Sequence, residues 1–191
     1  MRFLRDAVIT IVVLIVMVGV LAYARLRAGG LAADAEPGAL ERSVASRLLR
    51  LSITPEAERQ PNPFAGDPDA WRTAADHYGD HCATCHGSDG HGRTEMGENM
   101  YPKVPDLADP SVQQLSDGAL FSIIQNGVRW TGMPAWKHEH SPEDSWRLVS
   151  FVRRVPSLTP ADIESLHSDH DEGEKTHEHS HEHQHGGQPP R

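Results

Sequence analysis

The chain has 191 residues and a formal charge of −9 at pH 7, from 27 Asp and Glu against 18 Lys and Arg with His taken as neutral. That balance argues against a nucleic-acid binder, because neutralising phosphates needs a surplus of Lys and Arg on one face. Only two cysteines occur, Cys82 and Cys85, which excludes the several-bridge framework of a disulfide-stapled secreted domain and leaves the pair a local chemical role.

Residues Ala7 to Ala24, AVITIVVLIVMVGVLAYA, form an uncharged run long enough as a helix to cross most of a hydrocarbon core of about 30 Å. Every backbone group would be satisfied inside that helix. A signal peptide is the competing reading, with AADA before Glu36 as the cleavage site. The run exceeds the apolar length usual for a signal, and Arg25 and Arg27 separate it from that site, so residues 1–27 are expected to be a cytoplasmic stub and transmembrane anchor. Arg2 and Arg5 balance Arg25 and Arg27, so charge alone leaves the orientation open.

Residues 28–65 turn to Ala, Gly, Pro and charge and read as a linker. Within them Leu40, Val44, Leu48 and Leu51 recur at helical spacing beside Arg42, Arg47 and Arg50. A short amphipathic helix resting on anionic lipid, one docked on a partner subunit, and a solvated spacer all fit this pattern.

Residues 66–158 carry three helix signals and no alternating strand, so a mostly α domain is expected. In GDPDAWRTAADHY, Asp67 can cap, Pro68 suits the first helical position, and Trp71, Ala74, Ala75 and Tyr78 form an apolar stripe running into the cysteines. In LSDGALFSIIQNG, Ser116 is the candidate cap, Leu120, Ile123 and Ile124 the buried face, and Gly127 the terminator. In SPEDSWRLVSFVRRVP, Ser141 caps, Pro142 opens, Trp146, Leu148, Val149, Phe151 and Val152 face the core, and Pro156 stops the helix. A core of this size is marginal unless something staples it.

Residues 159–191 are expected to be a disordered tail, because beyond Leu166 no apolar side chain offsets chain entropy. His177, His179, His181, His183 and His185 alternate with Glu, Ser and Gln, so an extended tail would offer a row of imidazoles to copper, nickel or zinc. A solubilising tail with incidental metal affinity is the plainer alternative.

Cys82, Ala83, Thr84, Cys85 and His86 make the C-x-x-C-H pattern of c-type haem attachment. Thiols three residues apart can join the two vinyl groups of one porphyrin, and the following imidazole then lies beneath the iron. A zinc site would need a second pair of ligands, and no second cysteine pair exists. A thioredoxin-like redox pair would need a βαβ pattern, which is missing.

About half the chain, from Asp67 to Pro156, here resembles the class I cytochromes c, small helical folds wrapped around one covalent haem c. In that family an aromatic residue four positions before the first cysteine packs against the last helix, as Tyr78 and Phe151 would. A small residue lies one turn earlier, where this chain has Ala74 and glycine is commoner. The resemblance implies that the Pro105 carbonyl accepts a hydrogen bond from the proximal His86 imidazole, with Leu107 packed on the porphyrin. It also implies a distal methionine loop, for which Met133 in TGMPAW is the candidate iron ligand. Met96, Met100, His91, His138 and His140 compete for that role by residue type. Trp71, Trp130, Trp136 and Arg129 are candidates for the haem edge or its propionates, with the tryptophans read as core.

A His/Met pair leaves no open site for a substrate and favours a carrier of single electrons over an enzyme. Attachment of haem outside the cytoplasm, implied by the resemblance, puts the domain in the periplasm of a bacterial inner membrane. Its partners would be redox proteins or subunits of a membrane oxidase or dehydrogenase complex. A metal-handling protein acting through its histidine tail is the remaining alternative.

Overall fold

The computed structural model describes residues 2–28, 32, 33 and 35–164. Among these residues there are α-helices and one 3-10 turn, and no strand. The histidine row at 177–185 lies outside them.

Helix α1, Arg2–Arg27, covers the apolar run with a charged flank at each end, and none of its residues is buried. At about 1.5 Å per residue it is some 39 Å long, and by length and composition it is a candidate membrane span. Helix α2, Ala39–Ser52, follows, again with no buried residue. Helix α3, Pro55–Glu58, is a single turn that the sequence pattern does not announce. The Thr54 hydroxyl accepts from the Ala57 amide and Pro55 opens the turn.

Residues 54–65, read from the sequence as linker, pack on the helices that follow. A β-carbon at Gly118 would lie 1.8 Å from the Ala57 carbonyl oxygen, so only glycine lets α3 approach this closely. Asn62 is buried; its Nδ2 donates to the Trp146 carbonyl at 3.2 Å and to Ser150 Oγ at 3.0 Å.

The single helix expected to start near Asp67 is two short ones, α4, Ala70–Thr73, and α5, Ala75–His81. The Asp67 carboxylate accepts from the Asp69 amide at 2.9 Å, closing a local turn that uses up the expected cap and delays the helix. Ala74, the residue at the break, is buried. Helices α6, Ala83–His86, α7, Glu95–Glu98, and α8, Pro110–Gln113, are further single turns.

Helix α9, Asp117–Asn126, starts where Ser116 accepts from the Ala119 amide and ends at Gly127, whose φ is 63°. Helix α10, Pro142–Arg154, has a complete capping box: Ser141 Oγ accepts from the Asp144 amide, and the Asp144 carboxylate accepts from the Ser141 amide. Pro156 then falls in a 3-10 turn, Val155–Ser157.

The core is built on α10. Phe151 and Val149 are fully buried, and Phe151 stacks on Tyr78 with ring centroids 4.0 Å apart and meets Trp71 at 6.4 Å. Phe121 of α9 stacks on Trp146 at 4.1 Å. Polar clamps fix the register of these helices: Arg153 donates to Asp117 at 2.8 Å and to the Gln113 carbonyl at 2.7 Å, and Gln113 Nε2 donates to the Leu107 and Val152 carbonyls.

Candidate functional site

The motif sits on the turn joining α5 to α6. The amides of Cys85 and His86 both donate to the Cys82 carbonyl, at 3.1 and 2.8 Å, so one tight turn carries both thiols and the imidazole. Cys82 and Cys85 are free thiols, each partly buried. Burial, reinforced by Cys85, pushes the Cys82 thiol up to about 12, so at neutral pH it is uncharged.

Two contacts hold this turn in place. The buried Tyr78 hydroxyl donates to the Gly87 carbonyl at 2.7 Å, and burial raises its pKa above the ordinary phenol range. Thr94 donates to the Cys85 carbonyl at 3.1 Å. The Tyr78 ring thereby links Phe151 of the core to the backbone just beyond His86.

His86 has a largely buried ring whose Nδ1 lacks a hydrogen-bond partner of ordinary geometry. Burial lowers its pKa, while the nearby Pro105 backbone opposes the shift. The chain after His86 doubles back to bring that backbone near. The Gly92 amide donates to the His86 carbonyl at 2.7 Å, and the Leu107 amide to the Gly90 carbonyl at 2.9 Å. Gly92 has φ 68°, and a β-carbon there would meet the Val104 carbonyl at 2.9 Å, so this close return requires glycine. Leu107 is buried in the core cluster. A largely buried imidazole beside two unbridged thiols fits the donor set of a thioether-linked haem.

Met133 is partly buried against the same core cluster. Its loop is tied to the end of α9: the Val128 amide donates to the Met133 carbonyl at 3.1 Å, and the amides of Trp136 and Lys137 donate to the Ile124 and Gln125 carbonyls. Gly127 permits this, because a β-carbon there would meet the Pro134 backbone at 2.5 Å. Among the competitors, Met96 is exposed, and Met100 lies against Gly132 in the Met133 loop. His91 Nδ1 is paired with Asp106 at 2.9 Å.

Trp71 and Trp136 belong to or border the core, but Trp130 is 83% exposed with φ 63°. The turn closed by Thr131 donating to the Val128 carbonyl puts Trp130 at its third position, where the left-handed backbone directs the side chain to solvent.

An aromatic cluster that the sequence pattern does not announce lies beside this loop. The His140 ring stacks on Trp136 at 4.9 Å and lies 5.0 Å from the rings of both His77 and His81. His140 is 4% exposed and neither ring nitrogen has a partner. His77 and His81, one turn apart on α5, carried a signal, but the third ring comes from a remote loop. Among the described residues no three such side chains converge as a metal site.

Burial, then the neighbouring His77 and His81, lowers the pKa of His140, against opposing pulls from Asp144 and Glu139. The unfolded chain therefore takes up this proton at a higher pH than the folded one. The associated stability is complete above about 6.5 and is lost as pH falls below it. The denaturant midpoint is expected to fall between pH 7.5 and 5.5, where carboxylates contribute little, and His140→Phe should flatten that dependence. Equal slopes for the two proteins in denaturation followed by circular dichroism would sink the assignment.

Residues 69–152 match the family model of cytochrome C oxidase, cbb3-type, subunit III. The matched segment runs from the residue capping α4 into α10 and contains Cys82, Cys85, His86 and Met133, so it is similar to c-type cytochromes over the whole candidate site. None of the curated proteins compared matches the chain. Similarity to that family points to electron transfer and to covalently bound haem c.

Proposed function

We propose that this chain is a membrane-tethered c-type cytochrome that passes single electrons between redox partners. Cys82 and Cys85 would hold one haem c by thioether bonds, and His86 and Met133 would be its iron ligands. When bound, the haem supplies an iron that gains and loses one electron at a time. The protein's residues fix the ligand turn through Tyr78 and Thr94, offer the Pro105 carbonyl to the proximal imidazole, and hold Met133 through the end of α9. The observation that carries this reading is the Cys82–His86 turn, with free thiols and a largely buried imidazole, inside the segment that matches the cytochrome family.

Helix α1 anchors the domain, with the cytochrome segment on the periplasmic side of a bacterial inner membrane. The family's own description names an oxidase subunit, which supports a second reading as the haem c subunit of a membrane oxidoreductase complex. Purification from membranes under mild detergent separates the two. A stable complex with other haem-bearing chains supports the subunit, and a lone chain supports the carrier.

Met133→Ala tests the ligand assignment. The wild type is expected to show low-spin, six-coordinate iron in its reduced spectrum. The variant should lose that signature and drop in reduction potential, because thioether ligation raises it. Identical spectra and potentials would remove Met133 from the iron.

A further inference from the structure

Helix α2 is a feature the cytochrome reading leaves unused. Its Leu40, Val44, Leu48 and Leu51 are exposed, two of them by about four-fifths. At about 100° per residue they fall within an arc of roughly 80°. Arg47 lies about 20° and Arg50 about 80° beyond one edge of that arc. Glu41 lies about 20° beyond the other edge, and it accepts a hydrogen bond from Tyr101 of the folded domain. The domain thus meets α2 along its acidic edge, and the apolar row with its basic edge is left uncovered.

We propose that this row docks on the anionic phospholipid surface of the membrane that holds α1, with Arg47 and Arg50 engaging lipid phosphates at its rim. The proposal rests on reading α1 as a retained anchor. Eleven residues, 28–38, separate the two helices. Even fully extended they reach only about 40 Å, so α2 stays within reach of the bilayer surface. An amphipathic helix in the interface plane buries its apolar face at the acyl boundary while basic side chains meet the phosphates, and each contributes charge attraction to anionic lipid. A solvated spacer has no use for four aligned apolar side chains. Docked in this way, α2 would hold the domain close to the bilayer through the Glu41–Tyr101 contact, turning a loose tether into a fixed mount.

The test is hydrogen exchange, read by mass spectrometry, on the full haem-bearing chain in nanodiscs of phosphatidylcholine alone or with phosphatidylglycerol. Amides of α2 are expected to exchange about tenfold or more slowly in the anionic discs. In Arg47→Gln/Arg50→Gln that difference should shrink to about twofold or less, while Leu48→Ser/Leu51→Ser should lose protection in both lipids, with exchange in α10 unchanged in each variant. Fast exchange in both lipids overturns the proposal in favour of a spacer. Protection that persists without lipid, or grows with protein concentration, overturns it in favour of a protein partner or a second copy. Intact mass of the same sample separates the underlying readings. A mature chain beginning at Glu36 removes the anchor and the proposal with it, whereas a chain without haem but with lipid-dependent protection sinks the electron carrier alone.

Discussion

Replacing Cys82 and Cys85 together by alanine is expected to yield a protein with no covalently attached haem and a domain that no longer folds cooperatively. The two sulfurs sit on one turn, partly buried and unbridged. A domain of this size has a net stability of only about 5–15 kcal/mol. A prosthetic group that binds the native state alone adds stability by mass action, and a covalent link keeps it at the site. Under the proposed function, losing that link removes a staple for a core of marginal size. Intact mass under denaturing conditions checks the attachment, and near-ultraviolet circular dichroism checks the packing. A double variant that retains haem mass would overturn the proposed function at its root.

Phe151→Ala is expected to destabilise the domain by about 3–5 kcal/mol, the usual cost of emptying a fully buried phenyl site. Phe151 is 0% exposed and is the common partner of Tyr78 and Trp71. Tyr78 in turn holds the Gly87 carbonyl beyond the ligand turn, so the loss should spread to the site. Equilibrium denaturation gives the free energy. The reduced spectrum of the still-folded fraction should show a broadened or heterogeneous ligand environment. Phe151→Leu, which keeps most of the volume, should cost about 1.5 kcal/mol or less. A small effect for alanine would mean that α10 is not the organising element of the core.

The features legible in the sequence are those whose physics is local. Ser116 and Ser141 cap the helices they precede, and Gly127 ends α9 in a left-handed conformation, because a cap involves neighbours within one turn. The C-x-x-C-H pattern is similarly self-contained. The break at Ala74 was not legible, since apolar spacing is the same for one helix or for two in line. Single-turn helices such as α3 and α6 are too short for periodicity and exist through their packing. The buried His140 was hidden for a related reason. Its setting combines α5, the Met133 loop and the start of α10, and no spacing rule links such distant segments. Trp130 shows the converse, a large apolar residue that a turn directs outward.

Asn62 and Gly118 bear on where the domain can be cut free of α1 and α2. Asn62 reaches two groups on α10 and Ala57 rests against Gly118, so these dozen residues act as a strap across the seam between the two longest helices of the domain. Trimming the chain at the first residue of the sequence-defined domain, Gly66, would strip the strap away and bare the Trp146 carbonyl beneath it. A version without α1 and α2 that keeps its native seam therefore begins no later than Thr54, just after the end of α2.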